Sequence, residues 1–298
     1  MKITITGSSG FAGKNLVSYL KEFNIQKLSL RYKASQEIYL QSTNAVIHLS
    51  GKAHDLKKVS QPQDYYDANF ELTKQLYNAF LHSDAKKFIF VSSVKATADS
   101  LNEPLKENHK SNPQTHYGKS KLQAEQYIQN QLLPNDKSYY ILRPCMIHGP
   151  GNKGNLNLLY NFVSKGLPYP LAGFNNERSF LSVENICFVI KEILNRDDIP
   201  SGLYNIADDE ALSTTEVVRL LSSSLNKQAN LLKIPACFIK GLARLGDVLH
   251  LPLNTERLQK LTESYIVDNT KIKQVLKKDL PLSAREGILR TARSFKNA

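Results

Sequence analysis

The sequence has few of the features that mark secreted, metal-binding or membrane-spanning proteins. Its three cysteines, Cys145, Cys187 and Cys237, are far apart and lack CxxC spacing. This pattern predicts reduced thiols and no metal site. No apolar run approaches the roughly 18 residues of a membrane span, and the stretch before Gly7 is too short for a signal peptide. We therefore expect a cytoplasmic protein with no integral membrane segment.

Composition and charge argue against disorder and against nucleic-acid binding. The 298 residues are 41% hydrophobic and 22% charged, as in ordinary globular proteins, and the length predicts about two domains. The net charge of +12 favours anionic partners. However, the basic residues are scattered in short pairs, Lys57-Lys58, Lys86-Lys87 and Lys277-Lys278, which we interpret mostly as solvated. Nucleic-acid binding needs basic residues clustered with aromatics on one face, so no nucleic-acid partner is expected.

Strand-like and helix-like segments alternate along the first half of the chain. Strands are predicted at residues 2–6, 28–30, 45–49, 87–91 and 139–142, and helices at 13–23, 69–82 and 117–132. This alternation predicts βαβ units and an α/β fold with a doubly wound parallel sheet of the Rossmann type.

The pattern changes after Pro144, where loops, a strand at 203–206 and a largely helical end follow. We assign residues 1–150 to a dinucleotide-binding domain, with a return segment around 180–207. Residues 151–179 and 208–298 are assigned to a smaller C-terminal substrate domain.

A glycine-rich loop joins the first predicted strand to the first predicted helix. Residues 6–13 read Thr-Gly-Ser-Ser-Gly-Phe-Ala-Gly and contain G-x-x-G-x-x-G. Glycines let the backbone approach a pyrophosphate, and a helix start offers free N–H groups and a positive dipole end. The strand before and the helix after supply the context that the motif requires. The predicted cofactor-binding residues here are Gly7, Ser9, Gly10, Phe11, Ala12 and Gly13.

Arg31 follows the second predicted strand, where dinucleotide-binding folds often carry an acidic residue for the ribose 2′-hydroxyl. A guanidinium at this position suits a 2′-phosphate. We therefore expect an NAD(P)(H) cofactor, with NADP favoured over NAD. The alternative is that Arg31 is an ordinary surface arginine.

Tyr117 and Lys121 are spaced i, i+4 in Tyr-Gly-Lys-Ser-Lys, which places them on one face of the predicted helix. A tyrosine with its usual pKa near ~10 is a poor acid–base catalyst at neutral pH, and a nearby ammonium stabilises the phenolate. Ser93 follows the strand at 87–91, at an edge where parallel sheets bind ligands. We predict Ser93, Tyr117 and Lys121 as catalytic residues, with Ser92 as the neighbouring alternative to Ser93.

Together these motifs resemble the extended short-chain dehydrogenase/reductases, in their NAD-dependent epimerase/dehydratase branch. The resemblance covers essentially the whole chain. It is carried by the glycine loop, His48-Leu49-Ser50-Gly51, Asn69, Ser92-Ser93, Tyr117–Lys121, and Arg143-Pro144 leading to Gly149-Pro150-Gly151. It implies hydride transfer at C4 of a UDP-sugar, in polysaccharide precursor synthesis, and a homodimer.

The resemblance also implies further site residues. Asn69 supports a relay behind the lysine or braces the sheet, Asn155 contacts substrate near the diphosphate, and Arg178 pairs with the phosphates. The full cofactor set adds Leu49, Ser50, Gly51, Asn69, Tyr117 and Lys121 to the residues above. The substrate set is Ser93, Lys95, Tyr117, Asn155, Arg178 and Arg257.

The sequence leaves several functions open. Lys95 and Met146 depart from the pattern of ordinary 4-epimerases, so the favoured hypothesis is a reductase of UDP-4-keto-6-deoxy-N-acetylhexosamines. The alternative is a UDP-N-acetylhexosamine 4-epimerase with bound NAD. A non-catalytic dinucleotide-sensing protein is the alternative of another class, although such proteins typically lose the tyrosine or lysine.

The segment Ile234–Leu251 is amphipathic and basic. Two interpretations apply: a helix that meets a membrane surface or a partner, or a helix that packs within the substrate domain. We favour the second.

Overall fold

The computed structural model describes residues 1–34, 36–40, 42–53, 61–152, 154–249 and 254–296. The basic pair Lys57-Lys58 and the last two residues of the amphipathic segment, His250 and Leu251, lie outside them. Within this part of the chain the structure has a large parallel sheet, a small sheet, and helices around both.

The large sheet has six strands in the order β2-β1-β3-β4-β5-β8, and each neighbouring pair is parallel. The strands are β1 (Lys2–Thr6), β2 (Asn24–Leu28), β3 (Ala45–His48), β4 (Lys87–Val91), β5 (Ser138–Pro144) and β8 (Gly202–Ile206). Central strands such as β3 and β4 are buried along their whole length, as expected for a parallel sheet covered on both faces. The predicted doubly wound α/β fold is confirmed.

Helices cover both faces of this sheet. On one side, α1 (Phe11–Tyr19) and α6 (Val183–Asn195) contribute to a core that includes Leu16, Ile47 and Ile190. On the other, α3 (Leu72–Leu81) and α4 (His116–Asn130) pack through a core that includes Leu76 and Phe88. The strand–helix alternation of the sequence thus gives three layers, with the sheet between two layers of helices.

The helix predicted at 69–82 begins earlier and contains a π-turn. The helical path starts with α2 (Pro62–Tyr66), passes through a π-turn at Asp67–Glu71 and continues as α3. Asn69 lies in the π-turn and is fully buried. Such turns are rare and often occur at functional sites.

The second part of the chain has its own small sheet and apolar core. The small sheet is formed by β6 (Met146–His148), β7 (Arg178–Ser182) and β9 (Ala211–Leu212). The helices around it are α5 (Asn155–Ser164), α7 (Thr214–Ser224), α8 (Ala236–Leu249), α9 (Thr255–Thr262) and α11 (Ala284–Phe295). Helix α10 (Thr270–Leu276) packs on β8 in the core of the large sheet. Strand β8 lies in the return segment that we assigned to the dinucleotide-binding domain, and it pairs with β5 in the large sheet. The exact domain boundaries stay a prediction.

Two lysines are buried at helix ends, and one of them, Lys87, belongs to a basic pair expected to be mostly solvated. The Lys87 side chain, in β4, donates hydrogen bonds to the carbonyls of Ile193 (2.9 Å), Leu194 (3.2 Å) and Arg196 (2.8 Å) at the end of α6. Lys137 does the same at the end of α3, donating to the carbonyls of residues 80, 83 and 85. The last carbonyls of a helix have no intrahelical donor and favour a cation.

Two further predicted element boundaries were wrong. The strand expected at 28–30 lies at Asn24–Leu28, and the helix expected at 13–23 ends at Tyr19. Strand β2 pairs only with β1 in the large sheet, and three of its five residues are exposed and none is buried. An edge strand needs no continuous apolar run, so its pattern is weak.

Candidate active site

The candidate site lies at the carboxyl edge of the large sheet, between the parallel strands β1 and β3. From there the chain continues from β1 to β2 toward one side of the sheet and from β3 to β4 toward the other. Gly7, directly after β1, has a left-handed φ of +70°, and a Cβ there would lie 2.7 Å from the Ser50 backbone nitrogen. The loops after β1 and β3 therefore touch, and only glycine allows this approach. This is the position at which open α/β sheets bind ligands.

The glycine loop fits a dinucleotide pyrophosphate. Gly10 is the N-cap of α1, and Phe11, Ala12 and Gly13 are its first three residues. Their N–H groups have no acceptor within the helix. A Cβ on Gly13 would lie 2.1 Å from the Gly7 carbonyl oxygen, so glycine is required for the helix to start here. Ser9 and Gly10 are exposed at the open side of the loop.

His48 connects the strands to the helix behind the loop. Its ring nitrogens lie 2.6 Å from the Thr6 hydroxyl and 3.0 Å from the Thr73 hydroxyl. The imidazole is fully buried, and burial lowers the pKa of His48 to about 3. His48 is therefore neutral and serves as a bridge between β1, β3 and α3.

Tyr117 and Ser93 meet at the same edge, beyond β4. Thr115 caps α4 through its hydroxyl, which accepts the Gly118 N–H at 3.2 Å. Ser93 caps a short 3₁₀ helix, Val94–Ala96, by accepting the Lys95 N–H at 3.2 Å. The two caps bring the Tyr117 and Ser93 hydroxyls into a hydrogen bond. Burial raises the pKa of Tyr117, and the Ser93 hydrogen bond offsets part of that rise.

Lys121 lies one turn after Tyr117 and is buried. Its ammonium donates a hydrogen bond to the Val91 carbonyl at 3.0 Å and lies 4.7 Å from the centre of the Phe90 ring. Burial lowers the pKa of Lys121 to about 8, and Glu125 opposes that shift. A cation held at this depth is poised to stabilise a tyrosinate or to hold a ribose hydroxyl.

Gly51, Asn69 and Lys121 meet at one point. A Cβ on Gly51 would lie 2.7 Å from Asn69 Oδ1 and 3.2 Å from Lys121 Nζ. Asn69 accepts the Lys52 N–H at 2.7 Å and donates to the Lys52 carbonyl at 2.9 Å and the Ser120 hydroxyl at 3.0 Å. Asn69 therefore braces the loop after β3 against α4. The relay role stays a prediction.

Sequence reasoning assigned no role to an ion pair directly beneath the site. Glu125 continues the i, i+4 spacing of Tyr117 and Lys121, and its carboxylate binds Arg143 through two guanidinium nitrogens at 2.5–3.1 Å. Ser92 donates to the same carboxylate at 2.5 Å. The two neighbouring serines thus have different partners, and Ser93 is the one at Tyr117. Glu125 could have been noticed in the sequence, because it lies four residues after Lys121 and eight after Tyr117 on the same helical face.

Tyr265 also had no predicted role, and it connects the C-terminal part to the site. Its hydroxyl donates to the carbonyls of Val94 (3.3 Å) and Ala98 (2.8 Å). The ammonium of Lys95 lies 4.3 Å from the centre of its ring and donates to the Asp99 carbonyl at 2.7 Å. Lys95, predicted to bind substrate, is thus held at the junction of the two parts.

The remaining predicted residues lie further from Tyr117 along the chain. Arg178 begins β7 beside Tyr265, and burial lowers the pKa of its guanidinium while Glu263 opposes that shift. Asn155 is the exposed first residue of α5. Arg31 is exposed beyond β2, at the far end of the carboxyl edge from β4. The side chain of Arg257 is outside the described part.

The fold and this site define an extended short-chain dehydrogenase/reductase. The chain belongs to the NAD dependent epimerase/dehydratase family, whose model matches residues 3–207. It is therefore an enzyme that uses a nicotinamide cofactor. The glycine loop and the close approach of Gly51, Asn69 and Lys121 fit such a group.

Individual relatives agree with this assignment. The chain is 29% identical to a UDP-glucose 4-epimerase of Vibrio cholerae, over 99% of this chain and 96% of the relative. It is also 29% identical to an N-acetyl-α-D-glucosaminyl-diphospho-ditrans,octacis-undecaprenol 4-epimerase of Escherichia coli O157:H7, over 91% and 84%. A UDP-glucuronic acid 4-epimerase of Bacillus cereus, solved with NAD, shares the fold with a TM-score of 0.75 at 19% identity, over 100% and 99%.

Proposed function

We propose that the protein is a nicotinamide-dependent 4-epimerase of a diphosphate-linked hexose, with a UDP-N-acetylhexosamine as the favoured substrate. The observation that carries the proposal is the Tyr117–Ser93 hydrogen bond, one helical turn from the buried Lys121. The full-length likeness to two 4-epimerases supports C4 as the reacting carbon. The sequence alone ranked a reductase first, and these relatives change that order.

The roles of the residues follow from their chemistry. A bound nicotinamide would supply the hydride acceptor and donor for C4. Tyr117, as phenolate, takes the proton of the sugar 4-hydroxyl when C4 is oxidised and gives it back when C4 is reduced from its opposite face. Lys121 stabilises that phenolate, and Ser93 holds the sugar oxygen by a hydrogen bond. General acid–base catalysis of this kind contributes roughly 10²–10⁴-fold to a rate.

The substrates in the names of the two similar 4-epimerases have one chemical feature in common, a diphosphate between the sugar and its carrier. We assign the diphosphate to Arg178 because a guanidinium can bind phosphate through two hydrogen bonds. Asn155, at the exposed start of α5, is the second proposed contact. The family resemblance further predicts a homodimer.

The second candidate is the C4 reductase, favoured by Arg31. A guanidinium beyond β2 suits the 2′-phosphate of NADPH, and a reductase consumes reduced cofactor whereas an epimerase recycles it. In that reaction Tyr117 donates its proton to the oxygen formed at C4. NADP preference therefore belongs to this second candidate.

One set of incubations separates the candidates. Purified protein is mixed with UDP-N-acetylglucosamine or UDP-glucose without added reductant, and the C4 epimer is quantified by NMR. In parallel, a UDP-4-keto-6-deoxy-N-acetylhexosamine is added with NADPH or NADH, and loss of the reduced cofactor is followed by absorbance.

Each outcome decides between the candidates. Epimer formation by the wild type and not by Tyr117→Phe supports the epimerase. Stoichiometric loss of NADPH without epimer formation replaces it with the reductase. If neither reaction occurs while cofactor binding is the same in both proteins, neither UDP-sugar candidate holds, and the result favours the dinucleotide-sensing alternative.

A further inference from the structure

The helix that carries Tyr117 begins with a weak first turn. Tyr117 is the second residue of α4 and is followed by Gly118, a poor helix former. The first turn has no acidic residue, and Lys119 places a cation where the helix dipole favours an anion. Gly118 is required, because a Cβ there would lie 2.3 Å from the Lys95 carbonyl oxygen. The sequence of α4 alone therefore does not hold the proposed acid–base residue firmly.

Asp99 supplies this turn with the anion that α4 lacks. One carboxylate oxygen, Oδ2, accepts the backbone N–H groups of Gln114 at 2.7 Å and of Thr115 at 3.3 Å, directly before the helix. The other oxygen, Oδ1, accepts the hydroxyl proton of Thr115 at 3.4 Å. Because that hydroxyl gives its proton to Asp99, its oxygen presents a lone pair to the Gly118 N–H, 3.2 Å away. Asp99 therefore orients the N-cap of α4 and also binds the chain that leads into it.

Asp99 is also joined to the 3₁₀ helix that Ser93 caps. Its backbone carbonyl accepts the ammonium of Lys95 at 2.7 Å, and Lys95 lies within that helix, Val94–Ala96. The side chain of Asp99 is thus bound to the start of α4, and its backbone to the 3₁₀ helix. These are the two elements whose relative position brings the Tyr117 and Ser93 hydroxyls together.

We propose that Asp99 is a positioning residue for catalysis, which holds the first turn of α4 against the 3₁₀ helix so that the Tyr117 hydroxyl keeps its hydrogen bond to Ser93. Asp99 acts through these two hydroxyls and not on the sugar. The inference rests on the proposed role of Tyr117 as the acid–base residue. Groups that transfer or orient a proton must be held at hydrogen-bonding distance, so a first turn that frays lowers the rate even in a folded protein.

A capping carboxylate could also serve stability alone, and α11 provides the comparison. Glu286 accepts the backbone N–H of Ser283 at 2.9 Å and its hydroxyl at 2.7 Å, and Ser283 is the N-cap of α11. Asp99 makes the same two contacts with Thr115, the N-cap of α4. Helix α11 carries none of the proposed site residues, so Glu286→Ala measures what the loss of such a cap costs by itself.

The test compares Asp99→Ala, Asp99→Asn and Glu286→Ala with wild type, and then repeats Asp99→Ala in a Ser93→Ala background. Steady-state kcat and KM are measured for the UDP-sugar reaction that the protein catalyses. Hydrogen–deuterium exchange of residues 114–122 is followed by mass spectrometry on the same proteins without substrate. The exchange rate reports on opening of the first turn of α4 independently of turnover.

Asp99→Ala should lower kcat about five- to tenfold, because the net worth of about one hydrogen bond corresponds to a factor of that size. KM should change little, and exchange of residues 114–122 should become about tenfold faster. Asp99→Asn keeps an oxygen that accepts the same N–H groups, so it should retain most of the activity. Glu286→Ala should leave both readouts unchanged. In the Ser93→Ala background, Asp99→Ala should cause little further loss of kcat, because no Ser93 hydroxyl remains to be aligned.

Three results would overturn the proposal: a wild-type kcat in Asp99→Ala, equal losses of kcat in Asp99→Ala and Glu286→Ala, or losses in Asp99→Ala and Ser93→Ala that add fully. The last would show that Asp99 acts by another route. If the protein turns over no UDP-sugar, the proposed function fails and the exchange data decide on Asp99 separately. Faster exchange of residues 114–122 in Asp99→Ala then supports the anchoring of α4 by Asp99, and unchanged exchange refutes it.

Discussion

The guanidinium of Arg143 and the carboxylate of Glu125 form a two-pronged ion pair that joins β5 to α4 and is almost completely withdrawn from water. Arg143 is 4% exposed and Glu125 is fully buried. Because Glu125 lies on the same helical face as Tyr117 and Lys121, the pair fixes the rotation of α4 relative to the sheet. The position of both proposed catalytic side chains therefore depends on it.

Removing the charge of Glu125 should destabilise the protein strongly. In Glu125→Gln the buried Arg143 loses its counter-charge, and breaking such a pair costs about 3–5 kcal/mol. The free energy of unfolding, measured in urea, should fall by that order. Because Glu125 raises the pKa of Lys121, the ammonium should also deprotonate at lower pH in this variant. The double variant Glu125→Leu/Arg143→Met should regain much of the stability, and an additive loss would contradict this account.

Ser93 and Ser92 should give opposite phenotypes although they are neighbours. Ser93→Ala removes the partner of Tyr117, so kcat should fall about 10–100-fold with little change in stability. Ser92→Ala removes a donor to the buried Glu125 carboxylate, so stability should fall by about 1–3 kcal/mol while kcat is largely kept. Steady-state rates and urea midpoints on both proteins decide the matter. A larger rate loss in Ser92→Ala would reverse the assignment.

The depressed pKa of Lys121 predicts that stability rises at alkaline pH. Its pKa is about 8 in the folded protein, against an ordinary 10.5. Between these values the unfolded chain binds more protons, so the free energy of unfolding increases with pH and the penalty for the buried charge disappears. That penalty is about 3 kcal/mol below pH 8. Lys121→Met should be inactive, and its free energy of unfolding should not rise between pH 8 and 10.5. If the variant keeps the wild-type pH dependence, the rise comes from a group other than Lys121.

Arg31 should set the choice between cofactors. If it binds the 2′-phosphate, Arg31→Ala should weaken NADPH binding about tenfold or more, since a charge-assisted hydrogen bond is worth roughly 1.5–3 kcal/mol. NADH binding should change little. Dissociation constants from fluorescence titration test this, with Lys27→Ala as a control for a nearby exposed cation. If wild type binds NADPH and NADH with equal affinity, Arg31 does not bind the 2′-phosphate and is an ordinary surface residue.

Gly13 and Gly10 should differ sharply in their tolerance of alanine. A Cβ at Gly13 would lie 2.1 Å from the Gly7 carbonyl oxygen, whereas at Gly10 the same contact is an ordinary 3.4 Å. Gly13→Ala should displace the start of α1 and abolish cofactor binding. Gly10→Ala should fold, with thermal unfolding close to wild type. The comparison is made by thermal shift with and without cofactor, and a well-folded, cofactor-binding Gly13→Ala would refute it.

The glycine loop and the Tyr117–Lys121 pair were predictable because each depends on local spacing within one strand–turn–helix or one helix. The Arg143 partner of Glu125 was not, since it comes from a strand that only the folded sheet brings near α4. The short strands β6, β7 and β9 were missed for the same reason, because their pairing joins residues far apart in sequence. The edge strand β2 was misplaced because its residues are half polar. The domain boundaries, the homodimer and the NADP preference stay predictions.

The π-turn at Asp67–Glu71 carries a consequence for insertions and deletions. A π-turn accommodates an extra residue in an otherwise α-helical path, and each residue of an α-helix corresponds to a rotation of about 100°. Deleting one residue here would let the helix run on regularly, but it would turn α2 away from its present direction relative to α3. Asn69 would then no longer face Lys52 and Ser120. A one-residue deletion that removed the π-turn would therefore also break the Asn69 hydrogen bonds beside Lys121.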